Sequence, residues 1–261
     1  MMFSVIVVSL NAGEKLLETV KSILVQTYGN YEILIKDGMS EDGSVEKLPG
    51  DERIRLMKKR DASIYDAMNQ AVLEARGDYF IFLNCGDYFY DEKTLARSAK
   101  FITAHPADIY YGNLYRRQQK VVDESPHEIT DFVCYRNIPC HQACIYSRKM
   151  FEKRGYDLHY PVRADYEHFL WCRFKEQAVF CFMPFVIASY EGSGFSETKE
   201  NRKRAEKEHK EITGKYLKGK CYLYRLVMVV TLQPLRRRIA ESPALSAGYQ
   251  KLKGLLYHLK K

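Results

Sequence analysis

The sequence predicts an α/β fold with a mostly parallel central sheet flanked by helices, followed by a helical C-terminal extension. Three observations support this fold class. Strand-like and helix-like segments alternate over residues 1–100, polar residues follow the strands directly, and the segment from residue 198 onward is helical and basic. Open parallel sheets bind ligands at the carboxyl ends of their strands. We therefore expect a nucleotide-binding pocket near the start of the chain.

The chain begins with a strand–helix–strand unit. The apolar run 3–10 (FSVIVVSL) stops at Asn11-Ala12-Gly13, and the run 31–35 (YEILI) stops at Lys36-Asp37-Gly38. Between these strands, residues 14–26 carry apolar side chains at helical spacing. These side chains belong to Leu16, Leu17, Val20, Ile23 and Leu24. The unit therefore puts polar residues at the ends of two neighbouring strands.

Later segments continue the alternation. The sequence predicts strands at 54–57, 79–83 and 179–189, the last interrupted by Pro184, and a hairpin or edge pair within 109–122. It predicts helices at 64–74, 92–103, 147–154, 163–175, 198–216 and 221–232. Residues 131–146 match no single pattern, so no element is assigned there.

The composition is that of a folded protein. Hydrophobic residues make up 46% of the 261 residues, and no run approaches the roughly 18 to 20 apolar residues that cross a bilayer. The N-terminus lacks the basic start and small-residue cleavage site of a secretory signal. The seven cysteines form no CxxC pair, which favours reduced thiols and a cytoplasmic protein.

Charge is distributed unevenly along the chain. Residues 198–261 hold 17 Lys and Arg against 5 Glu, a net charge of +12, whereas the whole chain carries +8, which leaves about −4 for residues 1–197. We predict one domain at 1–197 and a basic helical extension at 198–261. The extension is expected to bind an anionic membrane surface, and the alternatives are packing on the domain or binding nucleic acid. No nucleic-acid motif accompanies the charge, so no nucleic-acid partner is expected.

Four segments resemble the family 2 glycosyltransferases, which are inverting sugar transferases with the GT-A fold. They are residues 4–13, 35–44, 64–87 and 163–171, and the chain is especially similar to bacterial members that build lipopolysaccharide, capsule or exopolysaccharide. The resemblance implies transfer of a sugar from a nucleotide diphosphate sugar, expected to be a UDP-sugar, to a glycan hydroxyl. The acceptor is expected on a polyprenyl pyrophosphate at the inner face of the cell membrane. A non-catalytic module that binds sugar nucleotides is the alternative.

The resemblance also implies a donor site at the strand ends. Asp37 matches an aspartate that accepts a hydrogen bond from uracil, although Asp37-Gly38 also fits a plain turn. The other residues expected at the donor are Ser9, Asn11, Arg60, Asp61, Asn69, Asn84 and Asp87. For Arg60 and Asp61, an exposed ion pair is the alternative.

The acidic motif of the family is incomplete in this chain. Relatives carry a DxD whose carboxylates hold ribose and a divalent cation, whereas this chain reads Asn84-Cys85-Gly86-Asp87 with glycine at the place of a metal-binding aspartate. Asp87 is expected to reach Mg²⁺ or Mn²⁺ together with donor phosphate oxygens. The alternative is weak metal binding, with Lys or Arg side chains neutralising the diphosphate.

The expected catalytic base is Asp165. It matches the family's catalytic aspartate within RADYEHFLW, and inversion requires a base that takes the acceptor's proton. A helix-capping role is the alternative, because Asp165 begins a predicted helix. His141 and Gln142 resemble an "HQ" motif on the acceptor side of the bacterial relatives, and a structural histidine is the alternative there.

Two further segments contain candidate binding residues. Cys134, Cys140, His141 and Cys144 lack the ligand spacing of a structural zinc site, so zinc is not expected. Residues 193–196 (SGFS) resemble a flexible segment that closes over donor and acceptor, and an exposed turn is the alternative.

Overall fold

The computed structural model describes residues 1–192 and 198–231 of the chain. The chain divides into two compact units, Met1–Ile212 and Thr213–Lys261. The expected closing segment 193–196 and the end of the basic extension, 232–261, lie outside the described residues. The predicted domain boundary between residues 197 and 198 stays a prediction.

Nine strands form one sheet in the order β3-β2-β1-β4-β8-β6-β9-β5, with β7 paired to β6, among the residues described. The strands are β1 Phe3–Ser9, β2 Tyr31–Asp37, β3 Ile54–Lys58, β4 Tyr79–Phe82, β5 Tyr88–Phe89, β6 Ile109–Arg116, β7 Val121–Asp123, β8 Cys144–Ser147 and β9 Phe180–Tyr190. The helices are α1 Glu14–Leu24, α2 Ile64–Glu74, α3 Thr94–Ala104, α4 Asp131–Arg136, α5 Arg148–Lys153, α6 Ala164–Phe174, α7 Lys199–Leu217 and α8 Lys220–Val230. Short 3₁₀ turns occupy Val45–Lys47 and His141–Ala143.

The predicted parallel sheet is confirmed for β3, β2, β1 and β4. Every residue of β1 and β2 is buried, which explains why both strands are unbroken apolar runs in the sequence. Apolar residues of α1, including Leu16, Val20 and Ile23, pack into the same core as β1. Since the four strands are parallel, the ends of β1, β2 and β4 lie along one edge of the sheet.

The second half of the sheet is mixed. β8 is antiparallel to both β4 and β6, whereas β9 runs parallel to β6. The expected interruption at Pro184 is wrong, because β9 is continuous from Phe180 to Tyr190. The pairing of β9 with β6 instead shifts register between Tyr111 and Asn113, and the exposed Pro184 lies opposite this irregularity. A bulge accommodates a proline because the ladder hydrogen bond that it cannot donate is already missing.

The helices α7 and α8 agree with the predicted helical character of the residues after 198. On α8 no residue is buried, and its exposed side chains include Tyr222, Leu223, Leu226, Val229 and Val230. In the described parts of the chain, no helix has the length and hydropathy needed to span a bilayer.

Candidate active site

Asp165 lies in the first turn of α6 with its carboxylate held by two side chains. The Tyr65 hydroxyl donates to Oδ1 over 2.7 Å, and His141 Nδ1 lies 3.2 Å from Oδ2. The N-cap residue of α6 is Arg163, so a capping role does not account for these contacts. The Asp165 side chain is 20% exposed, so a part of it remains accessible.

The surroundings of Asp165 keep its carboxyl group ionised at neutral pH. Burial favours the neutral acid, but the hydrogen bond and charge of His141, together with the Tyr65 hydrogen bond, hold the pKa of Asp165 below its ordinary value. Burial and the charge of Asp165 raise the pKa of Tyr65 well above its ordinary value. Tyr65 therefore remains a hydroxyl donor, and Asp165 remains a proton acceptor.

Aromatic side chains and the partly buried amide of Asn69 pack beside Tyr65. The ring of Tyr65 lies 5.3 Å from the ring of Tyr156. Asn69 accepts a hydrogen bond from Tyr156 N over 2.7 Å and donates to Tyr156 O over 2.9 Å. Asn69, which was expected to face the donor, thus uses its amide to fix the backbone beside the Tyr65 ring, and donor contact stays a prediction.

The pair His141 and Gln142 links Asp165 to the end of β4. His141 Nε2 lies 3.4 Å from Asn84 Nδ2, and Gln142 Nε2 donates to Asp87 Oδ2 over 2.8 Å. The two ring nitrogens of His141 thus contact Asp165 on one side and the Asn84 amide on the other. The sequence suggested the acceptor side for this pair but gave no sign that it connects the expected base to the Asn84–Asp87 motif.

Two buried oxygen atoms at the strand ends have no hydrogen-bond partner of good geometry among the described residues. They are Ser9 Oγ at the end of β1 and Asn84 Oδ1 just after β4. β1 and β4 are neighbours in the sheet, so both atoms belong to the same edge. Buried polar atoms without partners are rare and costly, and a bound polar ligand would satisfy them. Both residues were among those expected at the donor.

Asp37 closes a tight turn after β2. Its Oδ1 accepts from Met39 N over 3.0 Å and from Ser40 N over 2.8 Å, and its Oδ2 accepts from Ser40 Oγ over 2.5 Å. The turn that the sequence offered as the alternative is therefore formed, and contact with a base stays a prediction. Nearby, Asn11 Oδ1 accepts from Glu41 N over 3.0 Å, which joins the ends of β1 and β2.

Asp61 pairs with a buried lysine rather than with its neighbour Arg60. Lys36 Nζ lies 2.6 Å from Asp61 Oδ2, and the Lys36 side chain is fully buried. Arg60 is exposed. The alternative of an exposed Arg60–Asp61 pair is therefore wrong for Asp61, because a buried ammonium group requires a nearby carboxylate.

Asp87 is buried within the motif that follows β4. Only 3% of the residue is exposed, and its carboxylate accepts from Gln142 and, over 3.0 Å, from Glu191 N. Burial raises the pKa of Asp87 above its ordinary value, and the two hydrogen bonds offset this effect only in part. Among the described residues, no three His, Cys, Asp or Glu side chains are grouped as ligands for a metal ion.

Sequence comparison relates this chain to known transferases. Residues 4–176 match the family described as "Glycosyl transferase family 2". A "PGL/p-HBAD biosynthesis glycosyltransferase" of Mycobacterium bovis (strain BCG / Pasteur 1173P2) is 36% identical over 205 residues, which cover 76% of this chain and 80% of that protein. An uncharacterized glycosyltransferase of Mycobacterium tuberculosis is 31% identical over 175 residues, covering 64% of this chain and 67% of the relative.

Structural comparison identifies similar folds at low sequence identity. The crystal structure of S. aureus TarS 1-349 in complex with UDP-GlcNAc aligns with a TM-score of 0.64 and 18% identity, covering 83% of this chain and 72% of TarS. The mannosyltransferase PcManGT from Pyrobaculum calidifontis, in complex with GDP-Man and Mn²⁺, aligns with a TM-score of 0.63 and 16% identity. The alignment covers 98% of this chain and 80% of PcManGT. At these identities the likeness concerns the fold alone.

Proposed function

Since the chain belongs to glycosyl transferase family 2 and has the GT-A fold, we propose that it transfers a sugar, with inversion, from a nucleotide diphosphate sugar to a glycan hydroxyl. The observation that carries this proposal is the environment of Asp165. Its carboxylate is partly exposed, ionised at neutral pH, and connected through His141 to Asn84 at the end of β4.

Asp165 acts as the general base in the proposed reaction. Its carboxylate takes the proton of the acceptor hydroxyl while the acceptor oxygen forms a bond to the anomeric carbon of the sugar. The bond from that carbon to the diphosphate oxygen breaks on the opposite side, and its electron pair leaves with the nucleoside diphosphate. Tyr65 and His141 orient the carboxylate and remain hydrogen-bonded to it throughout.

The strand ends supply the donor site in this proposal. The unpartnered Ser9 Oγ and Asn84 Oδ1 are acceptors for hydroxyl or amide hydrogens of the nucleotide, and they lie at the edge where open sheets bind such ligands. The sugar nucleotides bound by TarS and by the mannosyltransferase support the donor class. We propose that the donor is a UDP-sugar and that Asp37 lies near its uracil ring.

A divalent cation, Mg²⁺ or Mn²⁺, is the proposed cofactor, and Mn²⁺ bound with GDP-Man by the mannosyltransferase supports it. Asp87 alone fits a cation poorly, because it is buried and both of its oxygen atoms accept protein hydrogen bonds. Glu191 fits better, since its side chain is 35% exposed and its carboxylate lies beside Gly86. When bound, such a cation stabilises the negative charge that develops on the departing diphosphate.

The proposed acceptor is a lipid-linked glycan at the cytoplasmic face of a membrane. The relative named for PGL/p-HBAD biosynthesis supports a role in glycolipid or surface-polysaccharide synthesis. Residues 198–231 carry ten Lys and Arg against four Glu, a net charge of +6, and α8 exposes Tyr222, Leu226 and Val230. Basic residues and an exposed apolar helix in one segment of the chain favour peripheral binding to anionic lipids.

The substitution Asp165→Asn tests the proposed function. Asparagine keeps the size of the side chain but cannot take a proton, and general-base catalysis contributes roughly 10²–10⁴-fold to rates. We expect turnover to fall by about that factor while the thermal shift produced by UDP remains as in the unaltered chain. Turnover within about threefold of the unaltered chain would reject Asp165 as the base.

A further inference from the structure

A carboxylate from a distant part of the chain occupies the space beside Gly86. A Cβ atom added to Gly86 would lie 2.6 Å from Glu191 Oε2 and 3.4 Å from Lys15 Cδ. Gly86 has a φ of 96°, a conformation that residues with side chains rarely adopt. The Asn84–Asp87 motif therefore has no side chain at position 86, and the Glu191 carboxylate lies where such a side chain would begin.

Backbone pairing holds Glu191 at this position. β5 follows the motif directly and pairs with the end of β9, so that Tyr88 lies opposite Ser189. Glu191 is the first residue after β9, and its backbone N–H donates to Asp87 Oδ1 over 3.0 Å. Asp87 is in turn held by Gln142. The buried aspartate thus fixes the backbone of the residue that carries the more exposed carboxylate.

A cationic side chain already contacts this carboxylate. Lys15 Nζ lies 2.8 Å from Glu191 Oε2, and the two side chains are 51% and 35% exposed. Exposed ion pairs of this kind are weak and exchange readily with other ions. Arg117 contacts the same motif, because its guanidinium donates to Gly86 O. Its Cζ atom lies 4.0 Å from the centre of the Tyr88 ring. The site therefore attracts anions through Lys15 and Arg117 and offers one accessible carboxylate to a metal cation.

We infer that Glu191 supplies the carboxylate ligand for a divalent cation bound with the donor diphosphate, in place of the side chain that Gly86 lacks. Hard cations take oxygen ligands and commonly retain water, so one carboxylate and two phosphate oxygens suffice. Lys15 competes with the cation for Glu191, because the two side chains already form an ion pair. This inference rests on the proposed function, because it requires a nucleoside diphosphate in the site.

The inference is tested by calorimetric titration of the full chain with UDP, once with Mn²⁺ and once with EDTA. GDP and dTDP are titrated in the same way. We expect Mn²⁺ to tighten nucleotide binding by about tenfold or more in the unaltered chain, a range typical of ligand contacts at metal sites. In Glu191→Gln we expect this enhancement to disappear, while the affinity for UDP in EDTA stays within about threefold of that of the unaltered chain. In Lys15→Met the enhancement grows, because the competing cation is gone.

The control is Glu14→Gln, which removes another exposed, lysine-paired carboxylate; Glu14 Oε1 lies 2.5 Å from Lys47 Nζ. It should leave the enhancement unchanged, and thermal melting checks that all variants are folded. The inference is overturned if Glu191→Gln retains the enhancement, or if the unaltered chain binds a nucleotide equally well with Mn²⁺ and EDTA. In both cases the proposed sugar transfer from a nucleotide donor survives, whereas equal binding with Mn²⁺ and EDTA also rejects the proposed cation. If none of the three nucleotides binds, both fail.

Discussion

The hydroxyl group of Tyr65 offers a direct test of how Asp165 is kept ionised. In Tyr65→Phe the ring remains packed near Tyr156, but Asp165 Oδ1 loses a donor at 2.7 Å. A hydrogen bond to a charged group contributes about 1.5–3 kcal/mol, so we expect the free energy of unfolding at pH 7 to fall by about that amount. A part of this loss is independent of pH, because the same hydroxyl lies 3.0 Å from Val162 O.

The pH dependence separates the two parts. Folding lowers the pKa of Asp165, so its carboxylate stabilises the fold above the pKa of an unfolded aspartate, about 3.9, and that contribution is lost as the pH falls through the lower folded value. The stability difference between Tyr65→Phe and the unaltered chain should therefore be largest above pH ~4 and shrink below it. Because the variant raises the pKa of Asp165, the acid limb of kcat/KM should move to higher pH.

Urea unfolding followed by circular dichroism, repeated between neutral and acid pH, measures the stability difference. Tyr160→Phe is a suitable control, because the Tyr160 hydroxyl donates over 3.0 Å to Glu211, whose side chain is 46% exposed. Because Glu211 is about half exposed, that bond should contribute less to stability, and the acid limb of kcat/KM should not move in Tyr160→Phe. The reasoning would be refuted if the stability loss of Tyr65→Phe stayed constant with pH and the acid limb of its kcat/KM profile did not move.

Two further predictions concern packing and the extension. A Cβ on residue 77 would meet Ser4 N at 2.4 Å and Phe3 C at 2.7 Å, so Gly77→Ala should destabilise the fold by about 1–3 kcal/mol in urea unfolding. Gly29→Ala, which meets nothing within 4 Å, should have little effect, and similar losses for both would contradict the packing explanation. Leu226→Glu on α8 should weaken co-sedimentation with anionic vesicles by roughly tenfold, because it removes apolar area and adds repulsion. Leu73→Glu, at a leucine that is 85% exposed on α2, should sediment like the unaltered chain, and equal sedimentation of both variants would reject the role of α8.

The first half of the fold was predictable because its signals are local. β1, β2 and α1 differ from their predicted limits by no more than two residues, since continuous apolar runs and helical spacing are properties of short windows. Residues 131–146 gave no clear signal because they contain a short helix, a 3₁₀ turn and the four-residue β8. Such short elements are determined by their neighbours in the sheet more than by their own sequence.

The candidate site was predictable only in part, for a related reason. The position of Asp165 followed from the family resemblance, but its partner Tyr65 is 100 residues away in the sequence. Lys15 and Glu191 are separated by 176 residues, and neither belongs to a recognisable motif. The pairing of β5 with β9 brings Glu191 to the Asn84–Asp87 motif, and the approach of α2 to α6 brings Tyr65 to Asp165. Sequence spacing carries no information about such pairs.

The short turn at His141–Ala143 acts as a fixed spacer. Two consecutive side chains reach in different directions, His141 toward Asp165 and Gln142 toward Asp87. An insertion between them would break the link that the turn makes between Asp165, the proposed base, and Asp87, in the motif proposed to contact the donor. We therefore expect this turn to tolerate changes of side chain far better than changes of length.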